Sequence, residues 1–274
     1  MDTGAADAAD ELVARLAHGD AVRVVVATVQ GSGPREVGAW MAVFEDAVVG
    51  TIGGGHLEFE AVAQARSLLA GATLDLERRF ALGPSLGQCC GGVVHLRFER
   101  LAAADIPALR EDTTAARAAQ MPVALFGGGH VGSAIVRLLG RLPVRVLWVD
   151  SREGIFPGGL PVSVQCEHSD PVQTAVASLE PQSRVLIMSF SHAEDLDVLI
   201  ACLQRRRERA DLPFIGLIGS RSKWAAFRHR LEARGFSSAE IAQVTSPIGV
   251  PGVAGKEPEV IAVAVAAQLL QRRG

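Results

Sequence analysis

Six consecutive residues, Gly127-Gly128-Gly129-His130-Val131-Gly132, constrain the fold of this chain more than any others. They follow an apolar run at 123–126 that reads as a strand, and they open a stretch at 131–139 with helical apolar spacing. A G-x-G-x-x-G turn between strand and helix needs glycine for the tight turn, for backbone approach to a pyrophosphate, and for close packing of helix on strand. The N–H groups at the helix start then face the anion. Asp150 ends the next apolar run, about where an acid that binds a ribose belongs. Motif, context and acid agree on a Rossmann-type domain. Such turns also serve packing alone, so Gly127, Gly129, His130, Gly132 and Asp150 are candidate nucleotide-binding residues with both readings open.

The rest of the second half keeps the same rhythm. Strands are expected at 144–149, 162–165, 185–189 and 214–218, and helices at 172–179, 195–207, 222–234 and 258–272. Strands alternating with helices argue for a parallel sheet covered on both faces. The first half differs. Apolar or β-branched runs at 21–29, 39–44, 47–51 and 93–98 read as strands, and 57–69 as a helix stopped by Gly71. The fold class is therefore α/β: a small α+β N-terminal domain followed by a Rossmann-like, doubly wound parallel-sheet domain. Boundaries are expected at 1–105 and 121–274, with 106–120, rich in Ala, Arg, Asp and Thr, as the linker.

Composition narrows the function classes. Hydrophobic residues at 49% supply ample core, which excludes a disordered chain. A net charge of −3 gives no electrostatic case for nucleic acid or anionic lipid. The longest apolar run, at 260–270, is far short of the roughly 18 residues a membrane span needs. Asp2, Asp7, Asp10 and Glu11 stand where a secretory signal would be basic and then apolar. A cytoplasmic protein without nucleic-acid or membrane partners is the expectation.

Four cysteines, with no Cys-x-x-Cys, make neither a disulfide scaffold nor a zinc site. Cys166 and Cys202 read as small buried hydrophobes. Cys89 and Cys90 lie in Leu86-Gly87-Gln88-Cys89-Cys90-Gly91-Gly92, where little side-chain bulk shields them. An open glycine-rich loop suits a thiolate that meets a ligand, and burial at the start of the next strand is the alternative. Gln88 either orients a ligand's oxygen or amide or is solvated.

Two further glycine loops share the first half. Gly31-Ser32-Gly33-Pro34-Arg35 follows a strand, and Thr51-Ile52-Gly53-Gly54-Gly55-His56-Leu57-Glu58 precedes a helix. The triple glycine Gly53, Gly54 and Gly55 offers N–H donors to an anion, and Arg35 can add a bidentate clamp. Either loop alone reads as a sharp turn; two in one small domain favour a polar, anionic ligand. Glu58 is either a helix cap or a site carboxylate, and His56 by itself reads as a surface residue. In the second half, Ser191-His192-Ala193-Glu194 follows a strand at the carboxyl end where ligands bind, so His192 is a candidate, but the segment reads foremost as a capping box. Gly219-Ser220-Arg221-Ser222-Lys223 has the position and donors of a phosphate loop. Ser246-Pro247-Ile248-Gly249 reads as a turn.

The order and spacing of these segments, from about Ala21 to Gln268, resemble the xanthine dehydrogenase accessory protein family, XdhC/CoxI. The carriers are Gly31-Ser32-Gly33-Pro34-Arg35-Glu36-Val37-Gly38-Ala39, Gly50-Thr51-Ile52-Gly53-Gly54-Gly55-His56-Leu57-Glu58 and Gly87-Gln88-Cys89-Cys90-Gly91-Gly92. Phe126-Gly127-Gly128-Gly129-His130-Val131-Gly132, Gly219-Ser220-Arg221-Ser222-Lys223 and Ser246-Pro247-Ile248-Gly249 add to them. Val250-Pro251-Gly252-Val253-Ala254-Gly255 departs from the pattern before the last helix. The resemblance implies a dimeric chaperone rather than a turnover enzyme. It would bind the molybdenum cofactor (molybdopterin), support its sulfuration by a partner cysteine desulfurase, and deliver it to apo-xanthine dehydrogenase. Arg35, Gly53, Gly54, Gly55, His56, Glu58, Gln88, Cys89 and Cys90 would then contact the cofactor, with Cys89 and Cys90 at the molybdenum. The competing reading is an NAD(P)-dependent oxidoreductase with its nucleotide on the Gly127 turn and Asp150.

Overall fold

A computed structural model of the chain describes residues 5–82 and 91–271. It divides into two compact units, Met1–Ala116 and Arg117–Gly274.

The first unit opens with α1 (Ala5–Leu16), followed by β1 (Ala21–Gln30), β2 (Trp40–Val43), β3 (Val48–Gly50), α2 (Gly55–Leu69), β4 (Glu77–Ala81) and β5 (Val93–Leu101). The five strands form an antiparallel sheet ordered β3-β2-β1-β5-β4. Alternation along β1 builds two cores. Val22, Val24 and Val26 pack with Met41, Leu96 and Phe98 beneath Leu57, Ala61, Ala65 and Leu68 of α2. Ala21 joins Ala42, Val49 and Leu101 against Ala8, Leu12 and Leu16 of α1. Residues 106–120, expected as a linker, instead hold α3 (Ile106–Ala118). Only Leu109 of that helix is buried, so its composition reads as polar connection although its backbone is helical.

The second unit alternates β6 (Met121–Phe126), α4 (His130–Leu139), β7 (Val144–Asp150), β8 (Val164–His168), β9 (Arg184–Ile187), α5 (His192–Arg209), β10 (Phe214–Leu217), α6 (Arg221–Glu232), α7 (Ser238–Ile241), β11 (Val244–Thr245) and α8 (Pro258–Gln271). All pairings are parallel, and the sheet order is β11-β10-β9-β6-β7-β8. One face packs under α4 and α8, with Leu125, Val146 and Trp148 meeting Ile135, Leu139 and Val265. The other packs under α5 and α6, with Phe126, Val149 and Ile187 meeting Leu199, Leu203 and Phe227. The helix expected at 172–179 forms as a 3-10 segment, Val172–Ser178. The strand expected at 162–165 lies two residues later, and β11 adds a sixth strand just before the Ser246 turn.

Candidate functional site

In the first unit, three glycine segments meet along the border of the sheet where β1 and β3 end and β5 begins. A side chain on Gly53 would run into Pro34, with a Cβ standing 2.5 Å from the Pro34 Cβ and 3.3 Å from the Arg35 Cγ. One on Gly92 would collide with the carbonyl oxygens of Ser32 and Gln30, and a Cβ on Gly31 would stand 3.4 Å from the Gly92 Cα. The Leu82 N–H donates to the Gly92 oxygen (2.8 Å), which closes the base of the intervening segment. The chain thus leaves this edge at Leu82 and returns to it at Gly91–Gly92. Gln88, Cys89 and Cys90 belong to that segment and lie outside the described residues.

The triple-glycine loop is held from within. Glu58 Oε2 accepts the Thr51 hydroxyl (2.6 Å) and the N–H groups of Ile52 (3.0 Å) and Gly54 (3.1 Å). Thr51 Oγ1 accepts from the Gly53 N–H (3.0 Å). Glu58 therefore caps the loop, and its carboxylate takes the Gly54 N–H, one of the donors that the triple glycine could offer an anion. Gly53, Gly54 and Gly55 all have positive φ (118°, 75° and 68°), which side chains rarely tolerate. Arg35 is not a free clamp: it holds Glu36 through both oxygens (3.0 and 3.2 Å), and that bond pulls the Glu36 carboxyl down to about 2. His56 is exposed, bonded to Glu60 (3.0 Å) and stacked near Phe59, itself 72% exposed.

In the second unit the Gly127 turn lies at the carboxyl ends of β6 and β9, where the strand order reverses. Each glycine has its own surroundings. A Cβ on Gly127 (φ 125°) would collide with the Met188 carbonyl, and one on Gly132 with the Gly127 carbonyl. Trp148 Nε1 donates to that Gly127 oxygen (3.0 Å), so the turn is anchored from behind. Gly129 faces open space, and His130 beside it is exposed.

Asp150 is buried and committed. Its Oδ1 accepts from the Arg152 N–H and Nε (both 2.9 Å), and its Oδ2 from Arg152 Nη2 (2.9 Å) and the Gly128 N–H. Burial alone would raise this carboxyl; the bonds from Arg152 and the Gly128 N–H outweigh it and hold the group below the usual carboxylate range. The Arg152 guanidinium also lies 4.6 Å over the exposed ring of Phe190. Neither residue belongs to a motif; an arginine two residues after the strand-end acid was the available signal.

Two later motifs make contacts within the unit. Lys223 turns inward, donating to Asp195 Oδ2 (2.6 Å) and the Ile218 carbonyl (2.8 Å), while Asp195 Oδ1 accepts the Ser189 N–H (2.6 Å). Ser191 accepts the Glu194 N–H (3.2 Å) as cap of α5, but Glu194 reaches Ser151 and the Phe190 N–H instead of closing the box. Cys202 is buried and its thiol is pushed up to about 12 by burial, whereas Cys166, expected inside, is exposed. The reason lies in β8, an edge strand whose side chains are mostly exposed. A cavity of about 380 Å³ lies between β7, β8 and the 3-10 segment, lined by Arg145, Glu180, Gln165 and Glu167 among others. Arg145 is already bound there to both oxygens of Glu180 (2.6 and 2.7 Å). Among the described residues no group of three or more His, Cys, Asp or Glu is placed to hold a metal ion, and no helix is long and apolar enough to cross a membrane.

Comparison with known proteins decides the family. The XdhC Rossmann domain matches residues 123–269, and the XdhC and CoxI family description matches residues 14–79. The chain belongs to the XdhC family. This XdhC chain is 24% identical over 246 residues to the uncharacterized protein YqeB of Escherichia coli (strain K12), covering 88% of itself and 41% of that relative's length. Its fold matches a crystal structure from Bacillus halodurans described as a xanthine dehydrogenase, with TM-score 0.76 and 19% identity over 96% of this chain and 95% of the other.

Proposed function

We propose that this XdhC protein is a maturation factor for a xanthine dehydrogenase, carrying the molybdenum cofactor as cargo on its first unit. The observation that carries this reading is the meeting of Gly31–Gly33, Gly53 and Gly91–Gly92 at one sheet edge in a member of the XdhC family. An edge built of glycines lets a flat ligand approach the backbone closely. Arg35 at its rim is the cation nearest in sequence for a phosphate, reached by exchanging Glu36 for the ligand. The N–H groups at the start of α2, beyond those that Glu58 takes, add the positive end of a 15-residue helix. Cys89 and Cys90, on the segment that leaves and re-enters this edge, are the proposed molybdenum contacts, and Gln88 a neighbouring polar contact.

In this reading the chain holds and shields the cofactor; a partner cysteine desulfurase supplies the sulfur, and apo-xanthine dehydrogenase receives the product. The working form is a homodimer in the cytoplasm. The test is molybdenum and oxidised-pterin content of the protein purified anaerobically from cells that make the cofactor, beside a Cys89→Ser/Cys90→Ser variant. Near-stoichiometric metal and pterin in the parent, with metal lost in the variant, is the expected result. Absence of both from the parent would overturn the carrier reading.

A further inference from the structure

The sheet of the second unit ends on β8, and that strand is open along its outer side. We propose that two copies of this chain pair through β8, strand beside strand and antiparallel, about a twofold axis at Cys166. This deepens the homodimer reading above and rests on it.

The backbone supplies the first observation. The Val146 N–H donates to the Ser163 oxygen (2.8 Å), and the Ser169 N–H to the Asp150 oxygen (3.1 Å). Successive residues of a strand send their backbone groups to opposite sides, so Ser163, Gln165, Glu167 and Ser169 serve β7. Val164, Cys166 and His168 then face off the sheet. Val164 turns its N–H back to the Pro161 oxygen (2.9 Å). The N–H and C=O groups of Cys166 and His168, and the Val164 oxygen, have no hydrogen-bond partner among the described residues. Such a row is a template for another strand unless a proline, a lysine or a bulge blunts it, and β8 has none of these. The opposite edge, β11, is only two residues long.

The second observation is that the strand complements itself. With the axis at Cys166, the two Cys166 residues exchange both backbone bonds, and each His168 N–H reaches the Val164 oxygen of the other copy. Gln165 then stands directly opposite Glu167 of the second copy, in the positions where cross-strand side chains lie closest. An amide N–H donating to a carboxylate is a charge-assisted bond. Within the chain neither Gln165 nor Glu167 has a hydrogen bond or ion pair among the described residues, although both line the cavity beside the 3-10 segment. The axis position follows from the same residues. Moved to Glu167, it would set two carboxylates opposite each other, which is destabilising. Moved to Val164, it would need the N–H that the Pro161 oxygen already holds.

The third observation is the side chains along the approach. Cys166, at the axis, is exposed and small. Val162, just ahead of the strand, is 69% exposed and is apolar surface that a second copy would cover. Pairing of this kind adds main-chain bonds for affinity and side-chain pairs for register, and it joins the six-stranded sheets of the two copies into one.

Sedimentation equilibrium of the full chain tests this. The parent should be a dimer at micromolar concentration, and Cys166→Ser should match it, since the thiol is not what pairs. Cys166→Pro removes an N–H that β7 does not use, so the internal ladder stays intact. The dimer loses both bonds at the axis, and its dissociation constant should rise about tenfold or more. Gln165→Glu sets carboxylates opposite each other and should weaken the dimer several-fold. Adding Glu167→Gln to that variant exchanges the two partners and should restore the parent's dissociation constant. Unchanged constants in both Cys166→Pro and Gln165→Glu would overturn β8 as the pairing surface while the homodimer reading stood. A monomeric parent would overturn both, and the metal and pterin content would still decide the cargo reading separately.

Discussion

Single residues here do two kinds of work that sequence alone leaves unsorted, closing a loop and meeting a ligand. Glu58 is the clearest case. In the sequence a glutamate in the first turn of a helix is equally a cap and a site carboxylate, because both roles want a negative charge at the positive helix end. What separates them is where Thr51, Ile52 and Gly54 point their donors, and that depends on the positive-φ path through Gly53–Gly55. Asp150 repeats the lesson: its position at the end of β7 was legible, its capture by Arg152 and the Gly128 N–H was not. Glu58→Ala removes an acceptor for three donors at once. Hydrogen bonds to a charged group contribute about 1.5–3 kcal/mol, so urea unfolding should show a loss of that order. Glu58→Gln keeps an accepting oxygen and should lose clearly less. Equal losses in the two variants would show that the charge, and not the shape, holds the loop.

At the scale of elements, legibility followed burial. The strands of the second unit read directly because parallel strands covered on both faces are near-continuous apolar runs, as in β6 and β7. Elements with little buried surface escaped. Strand β4 exposes Glu77, Arg78 and Arg79 and buries only Phe80, so no alternation shows. Helix α3 buries Leu109 alone. The spacing of Ala8, Leu12 and Leu16 was a usable signal for α1. Joints between elements were invisible too, above all the Asp195–Lys223 pair, which ties the start of α5 to the start of α6 and to the end of β10. Asp195 is 2% exposed. Lys223→Met would leave that carboxylate buried without its cation, and such losses run to about 3–5 kcal/mol. A double variant with Asp195→Leu buries no charge and should lose much less than the two single losses added together. The check is a double-mutant cycle in urea; strict additivity would mean the two groups do not sense each other.

For the whole molecule, the decisive fact is that each unit owns its core. The clusters around Val24 and Leu12 lie entirely within Met1–Ala116, and those around Phe126 and Trp148 entirely within Arg117–Gly274. The glycine edge proposed for cargo belongs to the first unit, and the Gly127 turn with Phe190 to the second. A change of period along the sequence, from antiparallel alternation to strand–helix repeats, already marked this division, because a core built within one segment imposes its own pattern there. The boundary itself was blurred by α3, whose polar surface resembles a linker. A chain of residues 117–274 should therefore fold alone, with a single cooperative urea transition followed by the emission of buried Trp148 and half-buried Trp224. The complementary chain, residues 1–116, should keep whatever molybdenum and pterin the full chain carries. A fragment 117–274 without a cooperative transition would show that its core needs the first unit to close.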